Sequence, residues 1–471
     1  MLWRAGSCWT RQISMSLPPA LALGVFYEGV LQSALRQLFR RATLEVEPSR
    51  STPSDAPLTI ESIVDPSTLR ISWSGTGYTL RMPGRGTFTP HQIRMLRAIV
   101  VVVGARYNAI LNPEQAAERG ELFRGPLEDR YVGAFFDERP YLIDSGDHRV
   151  DRIASIIEML RVAALSTYEN RPISTGVLLL GGAHDPCRPD LSASIARASS
   201  HVESLASIKS FFRLADGVRT MFLADVEGRL LDIIDIDRWS RQLCPDAILD
   251  VPGAQAYQAH ARATLEQRSV CVVLSPSREI KVFAEGAEVF AFHGAVWHLL
   301  DLKAKFEIWT EAVGNSLLAL RLFQTALDLA DAREGALFVV LRDPADSVPR
   351  LVASADRLDV CDRTEMPGSG VVSRREILHL LEGRSATDLD PSVLFTLASL
   401  DGAIVVDTDG RLLAAGAILR HPPSEEELEQ GGIIEGARTT AAMTASRFGS
   451  VLKVSEDGDI TFYDRERVWD I

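Results

Sequence analysis

Apolar residues recur at helical spacing in several long segments of the chain. In ALALGVFYEGVLQSALRQLF, which starts at Ala20, the polar residues Glu28, Gln32 and Arg36 return every four positions. This spacing predicts an amphipathic helix packed against protein. The segment PHQIRMLRAIVVVVGARYNAIL predicts a second helix. DRIASIIEMLRVAALSTYE predicts a third, whose apolar positions are Ile153, Ile156, Ile157, Leu160 and Val162.

The longest helical pattern is FEIWTEAVGNSLLALRLFQTALDLADAREG. A single long helix is expected here, ending at Gly335 or just before it. Its broad apolar stripe consists of Trp309, Val313, Leu317, Leu320, Phe323, Leu327 and Leu329. The residues that follow, from Ala336 to Leu341, are almost all apolar, which predicts a strand in the centre of a sheet.

Strand patterns joined by short turns dominate the last seventy residues. Asp401-Gly402-Ala403 opens a strand, and the turn Asp407-Thr408-Asp409-Gly410 reverses it. A second strand is predicted from Arg411 to Leu419. An alanine-rich helix after Gly436 and a hairpin that turns at Asp457-Gly458-Asp459 complete the pattern.

The middle of the chain repeats the order of motifs found at its end. Asp216-Gly217 aligns with Asp401-Gly402, and Gly228 with Gly410. Two more pairs of segments follow downstream, residues 260–264 with 436–440 and VVLSPSREIKVF with LKVSEDGDITFY. Upstream, GVLLLG at Gly176 is paired with GALFVVL at Gly335. Two interpretations remain open. One is a duplicated lobe whose first copy has diverged further; the other is two unrelated mixed sheets, since short hairpins with glycine turns are common.

These patterns predict an α/β (α+β) protein of four parts, with a polar linker at residues 49–57. Residues 1–50 form an extension with a helix, and residues 58–165 form a small α/β module with the strand candidates LRISWSG and YTLRM. Residues 170–300 form the first lobe. Residues 316–467 form the C-terminal domain, which is expected to be a mixed β-sheet flanked by helices.

The composition narrows the class of protein. At 471 residues, the chain is long enough for two or three domains. Its formal charge of −13 gives no electrostatic reason to bind nucleic acid or anionic membranes. No window reaches the 18 or so apolar residues of a membrane span. The five cysteines are scattered without a CxxC pair, and no HExxH motif occurs. A cytoplasmic protein without disulfides or a zinc site is therefore expected.

The C-terminal motifs carry a family resemblance. Asp401-Gly402-Ala403, followed by Gly436, Arg438 and a Thr pair at a helix start, resembles the catalytic core of diadenylate cyclases. Those enzymes join two ATP molecules into cyclic di-AMP and carry an Asp-Gly-Ala motif and a Gly-Thr-Arg-His-Arg motif. The resemblance covers about residues 316–465. It implies the cyclase-type fold for this part, preceded by a degenerate copy and a sensor-like N-terminal region.

The resemblance implies a set of site residues. Catalysis is assigned to Asp401, Gly402, Ala403 and Arg438, with Mg²⁺ or Mn²⁺ on Asp401. ATP binding is assigned to Leu419, Gly436, Ala437, Arg438, Thr439, Thr440, Ser455 and Glu456. These residue types suit the chemistry, because a carboxylate can hold a divalent cation. A helix N-terminus with a guanidinium can bind a triphosphate, and Gly402 and Ala403 leave the backbone open to a nucleotide.

Three hypotheses of function follow. The first is a diadenylate cyclase that binds ATP and acts as a homo-oligomer, since two cyclase domains must face each other to close the ring. The second is a nucleotide or cyclic-dinucleotide sensor without turnover. It is suggested by Thr439 and Thr440, which replace an imidazole and a guanidinium at a cost of about 1.5–3 kcal/mol each. Arg447 or Lys453 can compensate in part. The third is a scaffold without a ligand.

Overall fold

The computed structural model describes residues 19–39, 41–47, 58–73, 76–83, 86–112, 114, 120–137, 141, 151–181, 200–207, 209–243, 247–265, 268–358, 379–420 and 436–471. The first eighteen residues and the predicted linker at 49–57 lie outside these ranges. Residues 1–154 and 155–471 form two compact units, and both combine helices with sheets. No helix within the described ranges is long and apolar enough to cross a lipid bilayer.

The first unit contains an antiparallel sheet with the strand order β1-β4-β3-β2. Its strands are β1 (Thr43–Glu47), β2 (Leu58–Asp65), β3 (Thr68–Trp73) and β4 (Thr76–Arg81). Its helices are α1 (Pro19–Leu38), α2 (Pro90–Leu111) and α3 (Leu127–Phe136), with a 3₁₀ turn at Gly120–Phe123. The predicted helices that start at Ala20 and Pro90 are confirmed, as are both strand candidates of this region.

Local sequence signals explain where α2 begins and how α1 is held. Thr89 and Gln92 form a capping box, in which each side chain accepts a hydrogen bond from the other residue's backbone N–H. Pro90 occupies the first helical turn, where no N–H is needed. In the sheet, the buried Trp73 donates its indole N–H to the carbonyl of Gly24 at 3.2 Å. This bond fixes α1 on the sheet.

The second unit contains two mixed sheets. The first has seven strands in the order β13-β12-β11-β10-β7-β8-β9. They are β7 (Thr175–Leu179), β8 (Thr220–Ala224), β9 (Leu230–Asp235), β10 (Val270–Leu274), β11 (Ile280–Ala284), β12 (Ala287–His293) and β13 (Val296–Leu299). Around it lie α4 (Arg152–Ala164), the ribbon of β5 (Thr167–Tyr168) and β6 (Arg171–Pro172), 3₁₀ turns at Val202–Ser207, Lys209–Leu214 and Gln255–Tyr257, α5 (Ile236–Leu243) and α6 (Gln258–Ala263).

The second sheet has six strands in the order β16-β15-β14-β17-β18-β19. They are β14 (Ala336–Leu341), β15 (Ala403–Asp407), β16 (Leu412–Ala417), β17 (Gly449–Val454), β18 (Ile460–Asp464) and β19 (Glu466–Asp470). Its helices are α7 (Leu302–Val313), α8 (Ser316–Ala332), α9 (Pro344–Leu351), α10 (Pro391–Ala398) and α11 (Ala437–Ala445), with 3₁₀ turns at Ser354–Asp356 and His379–Leu381. The predictions of a central strand at β14 and of both C-terminal hairpins are confirmed. We call the two sheets with their helices the first and second lobes.

The two lobes share one strand topology. In each, the central strand (β7 or β14) pairs in parallel with β8 or β15 and antiparallel with β10 or β17. The turn between the next two strands is also the same. The carboxylate of Asp225 accepts hydrogen bonds from the amides of Glu227 and Arg229. The carboxylate of Asp407 accepts them in the same way from the amides of Asp409 and Arg411. This agreement favours a duplicated lobe over two unrelated sheets.

The strand registers correct the alignment of the two copies. Counting back from the shared turn, Arg219 stands where Asp401 stands, so aligning Asp216 with Asp401 is wrong by three residues. The carboxylate of Asp216 instead accepts the amides of residues 218–220. Gly176 faces Val273 just as Leu337 faces Lys453, so the alignment of Gly176 with Gly335 is wrong by two residues. These errors arise because loop lengths before equivalent strands differ.

The prediction of one long helix between the lobes is also wrong, because the segment forms two helices, α7 and α8. Gly314 ends α7 with a positive φ of 73°, and the side chain of Asn315 caps α8 by accepting the amide of Leu318 at 3.2 Å. In the predicted stripe, Leu317 and Leu320 are exposed and the other members are buried. In α4, Val162 is exposed too. Trp309 and Phe323 belong to a core that continues into both sheets.

A buried carboxyl group gives the first unit a pH-dependent stability. Asp151 accepts the amide of Ala154 at the start of α4 and lies 3.7 Å from the guanidinium of Arg130. Burial raises the pKa of Asp151 to about 7, from an ordinary value of 3.8. The folded state therefore holds this proton more tightly than the unfolded chain does, and the free energy of unfolding falls as the pH rises from about 4 to 7.

We expect Asp151→Asn to reduce this pH dependence, because the amide keeps the hydrogen bond to Ala154 but does not titrate. The substitution should reduce the pH slope of the free energy of unfolding by at most about 1.4 kcal/mol per pH unit. Urea unfolding at pH 4, 5, 6 and 7 measures it. The control Glu45→Gln changes an exposed carboxylate of the same unit. Equal pH slopes in the wild type and Asp151→Asn would contradict the prediction.

Candidate functional site

Five segments of the second lobe surround one cavity of about 640 Å³. They are the start of β14, the start of β15, the end of β16, the N-terminus of α11, and the end of β17 with the turn that follows it. The cavity is lined by Leu337, Asp401, Gly402, Ala403, Ala417, Ile418, Leu419, Gly436, Ala437, Arg438, Thr439, Ala441, Lys453, Val454, Ser455, Glu456 and Asp457. The structure therefore brings together residues that are more than 100 positions apart in the chain.

The candidate residues named from the sequence lie at this cavity, with one exception. Thr440 does not line it, because it lies within the first turn of α11, where its amide donates to the carbonyl of Gly436 at 3.2 Å. The motif at Asp401 and the motif at Gly436 face the same space. Six lining residues were not among the candidates, namely Leu337, Ala417, Ile418, Ala441, Val454 and Asp457. Ile418 was within reach of sequence reasoning, because it directly precedes the candidate Leu419.

Gly402 lines the cavity and also lies close to the backbone of the neighbouring strand. Its φ is +114°, and a Cβ there would overlap the backbone of Gly416 on β16. The backbone conformation and this close approach therefore require glycine at this position. Gly436 differs, because a Cβ there would meet no atom within 4 Å. Ala403 begins β15 and is buried.

The N-terminus of α11 contributes backbone donors to the cavity. Gly436 is the N-cap and offers no side chain to the helix, and the amide of Thr439 donates to the Gly436 carbonyl at 2.8 Å. The amides of Ala437 and Arg438 belong to the first turn, whose N–H groups have no acceptor within the helix itself. The helix dipole adds a partial positive charge at this end.

Arg438 is the central charged group of the cavity. Its Nη1 donates to Oε1 of Glu456 at 2.6 Å, and its Nη2 lies 4.0 Å from Oδ1 of Asp401. The guanidinium therefore lies between two carboxylates. Gly335 allows this position, because a Cβ there would overlap Nη1 of Arg438. The sequence did not indicate this role of Gly335, since the two residues meet only in the folded sheet.

Lys453 is the second cation of the cavity. Its Nζ donates to Oγ1 of Thr439 at 2.8 Å, and on β17 it pairs with Leu337. Of the two basic residues considered as substitutes for the missing arginine, Lys453 lines the cavity and the exposed Arg447 does not. Of these two residues, only Lys453 is therefore positioned to contact a ligand in the cavity.

The cavity has a charged side and an apolar side. Two cations, Arg438 and Lys453, face three carboxylates, Asp401, Glu456 and Asp457. The apolar wall consists of Leu337, Ala403, Ala417, Ile418, Leu419, Ala441 and Val454. Leu419 is only 4% exposed, whereas Ile418 is 69% exposed. A flat apolar ligand group would therefore meet Ile418 over a larger area than Leu419.

The carboxylates fit a metal that arrives with phosphates. Among the described residues, no group of three or more His, Cys, Asp or Glu side chains could hold a metal ion. Mg²⁺, however, commonly uses one or two carboxylates together with phosphate oxygens and water. Asp401 and Glu456 both line the cavity and carry oxygen ligands of this type, although both also lie near the guanidinium of Arg438.

The equivalent place in the first lobe is filled by side chains. Met221 stands where Ala403 stands, and its Cε lies 2.5 Å from the point where a Cβ of Gly176 would be. His260 is buried and hydrogen-bonds the carbonyl of Gly217 at 3.0 Å. Burial lowers the pKa of His260 to about 4, so the ring is neutral. His260 lies within α6, whereas Gly436 is the N-cap of α11.

Comparison with models of known protein families gave no match, and neither did comparison with curated proteins. The distinguishing features of the cavity are one guanidinium between two carboxylates, a helix N-terminus beside it, and an apolar wall opposite.

Two glycines of the cavity make a matched test of this geometry. Gly402→Ala would place a Cβ on the backbone of Gly416 at a φ that alanine rarely adopts. We expect it to lower the free energy of unfolding by about 2 kcal/mol or more. Gly436→Ala meets no atom within 4 Å at a φ of −54° and should lower it by only about 1 kcal/mol, because alanine is a poorer N-cap than glycine. Urea denaturation checks both. Equal effects of the two substitutions would refute the assigned backbone contact.

Proposed function

We propose that the chain is a nucleotide sensor, whose second lobe binds an adenine nucleotide or a cyclic dinucleotide. The observation that carries the proposal is the position of Arg438. Its guanidinium faces the cavity beside the N-terminus of α11, and it is held by Glu456 at 2.6 Å and Asp401 at 4.0 Å. A guanidinium beside a helix N-terminus is a common arrangement for binding phosphate.

The two sides of the cavity match the two parts of a nucleotide. Arg438, Lys453 and the first amides of α11 would bind phosphate, and the exposed Ile418 would contact the base. The volume of about 640 Å³ lies within the range of small-molecule sites. In this proposal the second lobe has a diadenylate cyclase type of fold, and the protein is cytoplasmic.

The charges of the site favour binding over turnover. Acceleration of phosphoryl chemistry depends on cations that neutralise the developing negative charge. Here Thr439 and Thr440 occupy positions that are cationic in the enzymes, and three carboxylates outnumber the two cations of the lining. In the described part of the first lobe, Met221 and His260 occupy the place that corresponds to this cavity. These features support a domain that recognises its ligand and leaves it intact.

A divalent ion fits this proposal as a companion of the phosphates. Asp401 and Glu456 would hold Mg²⁺ or Mn²⁺, which would neutralise phosphate charge when bound. The residues of the chain then have separate roles: Arg438 and Lys453 orient the phosphates, and Ile418 limits the position of the base.

A second candidate function is diadenylate cyclase, and the exposure of Asp401 favours it. The carboxylate lies at the mouth of the cavity with its side chain fully exposed, where a nucleotide held by another copy can reach it. Closing a cyclic dinucleotide requires two such sites face to face, so this candidate includes a homo-oligomer. Each 3′-hydroxyl would attack the other α-phosphate, with pyrophosphate as the leaving group.

The sensor proposal predicts ligand binding that depends on Arg438. Arg438→Gln should weaken binding of cyclic di-AMP or ATP about ten- to hundredfold, because a charged hydrogen bond to phosphate contributes about 1.5–3 kcal/mol. Titration calorimetry with and without Mg²⁺ measures this effect. Arg447→Gln, which removes the same charge outside the cavity lining, should change the affinity less than twofold. If neither nucleotide binds the wild type, the proposal is wrong.

Product analysis separates the two candidates. After incubation of the full chain with ATP and Mn²⁺ or Mg²⁺, the sensor proposal predicts intact ATP and no cyclic di-AMP. The cyclase candidate predicts cyclic di-AMP and pyrophosphate, with product formation lost in Asp401→Asn. Chromatography of the nucleotides is the measurement. Product that forms equally in wild type and Asp401→Asn would exclude both assignments of Asp401 and point to a contaminating activity.

A further inference from the structure

Arg333 joins the two lobes. It ends α8 at a positive φ of 60°, where its amide donates to the carbonyl of Ala330 at 3.2 Å. Its guanidinium donates to the carboxylate of Glu279, which lies just before β11 in the first lobe. Glu279 is 9% exposed, so this ion pair is largely shielded from water. A displacement of Arg333 would therefore change its ion pair with Glu279 in the first lobe.

The turn between β17 and β18 packs on the other side of Arg333. Gly458 has a φ of +91°, and a Cβ there would lie 2.5 Å from Nη1 of Arg333 and 3.3 Å from the carbonyl oxygen of Ala330. The turn is closed by hydrogen bonds from Ser455 to Asp459 and from Gly458 to Ser455. These hydrogen bonds tie the residues of the turn to one another.

The same turn carries cavity residues. Ser455, Glu456 and Asp457 line the cavity, and Glu456 holds Arg438 at 2.6 Å. Gly335, two residues after Arg333, lies directly against Arg438. The state of Arg438 is thus connected to Arg333 by two short routes, one through the turn and one through the chain itself.

On the side of the first lobe, Glu279 belongs to a buried group of charges. Nζ of Lys281 lies 3.6 Å from Glu279, 3.3 Å from Glu288 and 3.3 Å from Asp331. Asp331 is in α8, two residues before Arg333. Charges buried in this way interact strongly and resist independent movement. A shift of Arg333 would therefore disturb β11 and β12 as well as its own ion pair.

We propose that occupancy of the cavity is transmitted to the first lobe through a relay of Glu456, the 455–459 turn, Arg333 and Glu279. Phosphate binding draws Arg438 away from Glu456, the released turn shifts against Arg333, and Arg333 alters the Glu279 pair. The role of the ligand rests on the proposed function, but the relay itself consists of contacts within the chain. By linkage, a change at Glu279 also alters ligand affinity.

Hydrogen exchange without ligand tests the relay independently of any nucleotide. Glu456→Gln weakens the bond to Arg438, so amide exchange in residues 275–284 should rise about threefold or more relative to β8 of the same lobe. Adding Glu279→Gln to this variant should give less than the product of the two single effects, because both act on one network. Asp346→Asn, which breaks an exposed ion pair on α9, is the control.

The relay is overturned if Glu456→Gln leaves exchange in residues 275–284 at the wild-type rate, or if Asp346→Asn raises it equally. It is also overturned if the effects of Glu456→Gln and Glu279→Gln on the exchange rate multiply as independent effects do. A uniform rise throughout the first lobe would mean general destabilisation and would count against it.

Ligand addition separates the relay from the proposed function. Cyclic di-AMP should change exchange in residues 275–284 of the wild type. In Arg333→Gln, calorimetry should still detect binding, but the change in the first lobe should disappear. Binding to the wild type with no response in the first lobe overturns the relay and leaves the nucleotide site standing. Absence of binding overturns the nucleotide site, and the exchange rates without ligand then decide the relay by themselves.

Discussion

The direction of three neighbouring strands is the constraint on which the candidate site depends. β14 and β15 are parallel, and β17 is antiparallel to β14. The starts of β14 and β15 therefore lie at the same end of the sheet as the end of β17. The register aligns Ala336 with Val454 directly. Asp401, Gly335 and Glu456 precede or follow these strand ends, and they therefore meet at that end. A different strand direction would place Asp401 and Glu456 on opposite ends of the sheet.

Electrostatics then set the character of the site. One guanidinium balances two nearby carboxylates, and a lysine is already engaged with a threonine hydroxyl. In the proposed function, a phosphate would have to compete with Glu456 for Arg438, so binding and rearrangement would be coupled. Such coupling is what the proposed sensor requires. In an enzyme, the same carboxylates would oppose the charge that develops on the reacting phosphate.

The two lobes show how one topology can keep or lose a cavity. Both retain the buried central strand and the aspartate turn before the edge strand. In the first lobe, Met221 occupies the place of Ala403, and a neutral His260 is packed inside. Among the described residues, the first lobe therefore has side chains at the place of the second lobe's cavity, and its buried charge cluster contacts α8.

The sequence alone determined the elements that local patterns control. The helix at α2, the strand β14 and the turn at Asp407 follow from apolar period, capping and turn chemistry, which act within a few residues. The Asp401 and Gly436 motifs were recognised from the sequence, and so was their common cavity. The break at Gly314 was missed, because the apolar stripe continues across it and only packing fixes the change of direction.

Only the tertiary structure decided the contacts between distant segments. The pairing of Arg438 with Glu456, the fit of Gly335 beneath it and the ion pair of Arg333 with Glu279 join residues that no local pattern connects. The same holds for the role of Gly402, whose missing side chain makes room for the backbone of β16. The reason is physical: strand register sets these distances to within an ångström, and register depends on the packing of whole sheets.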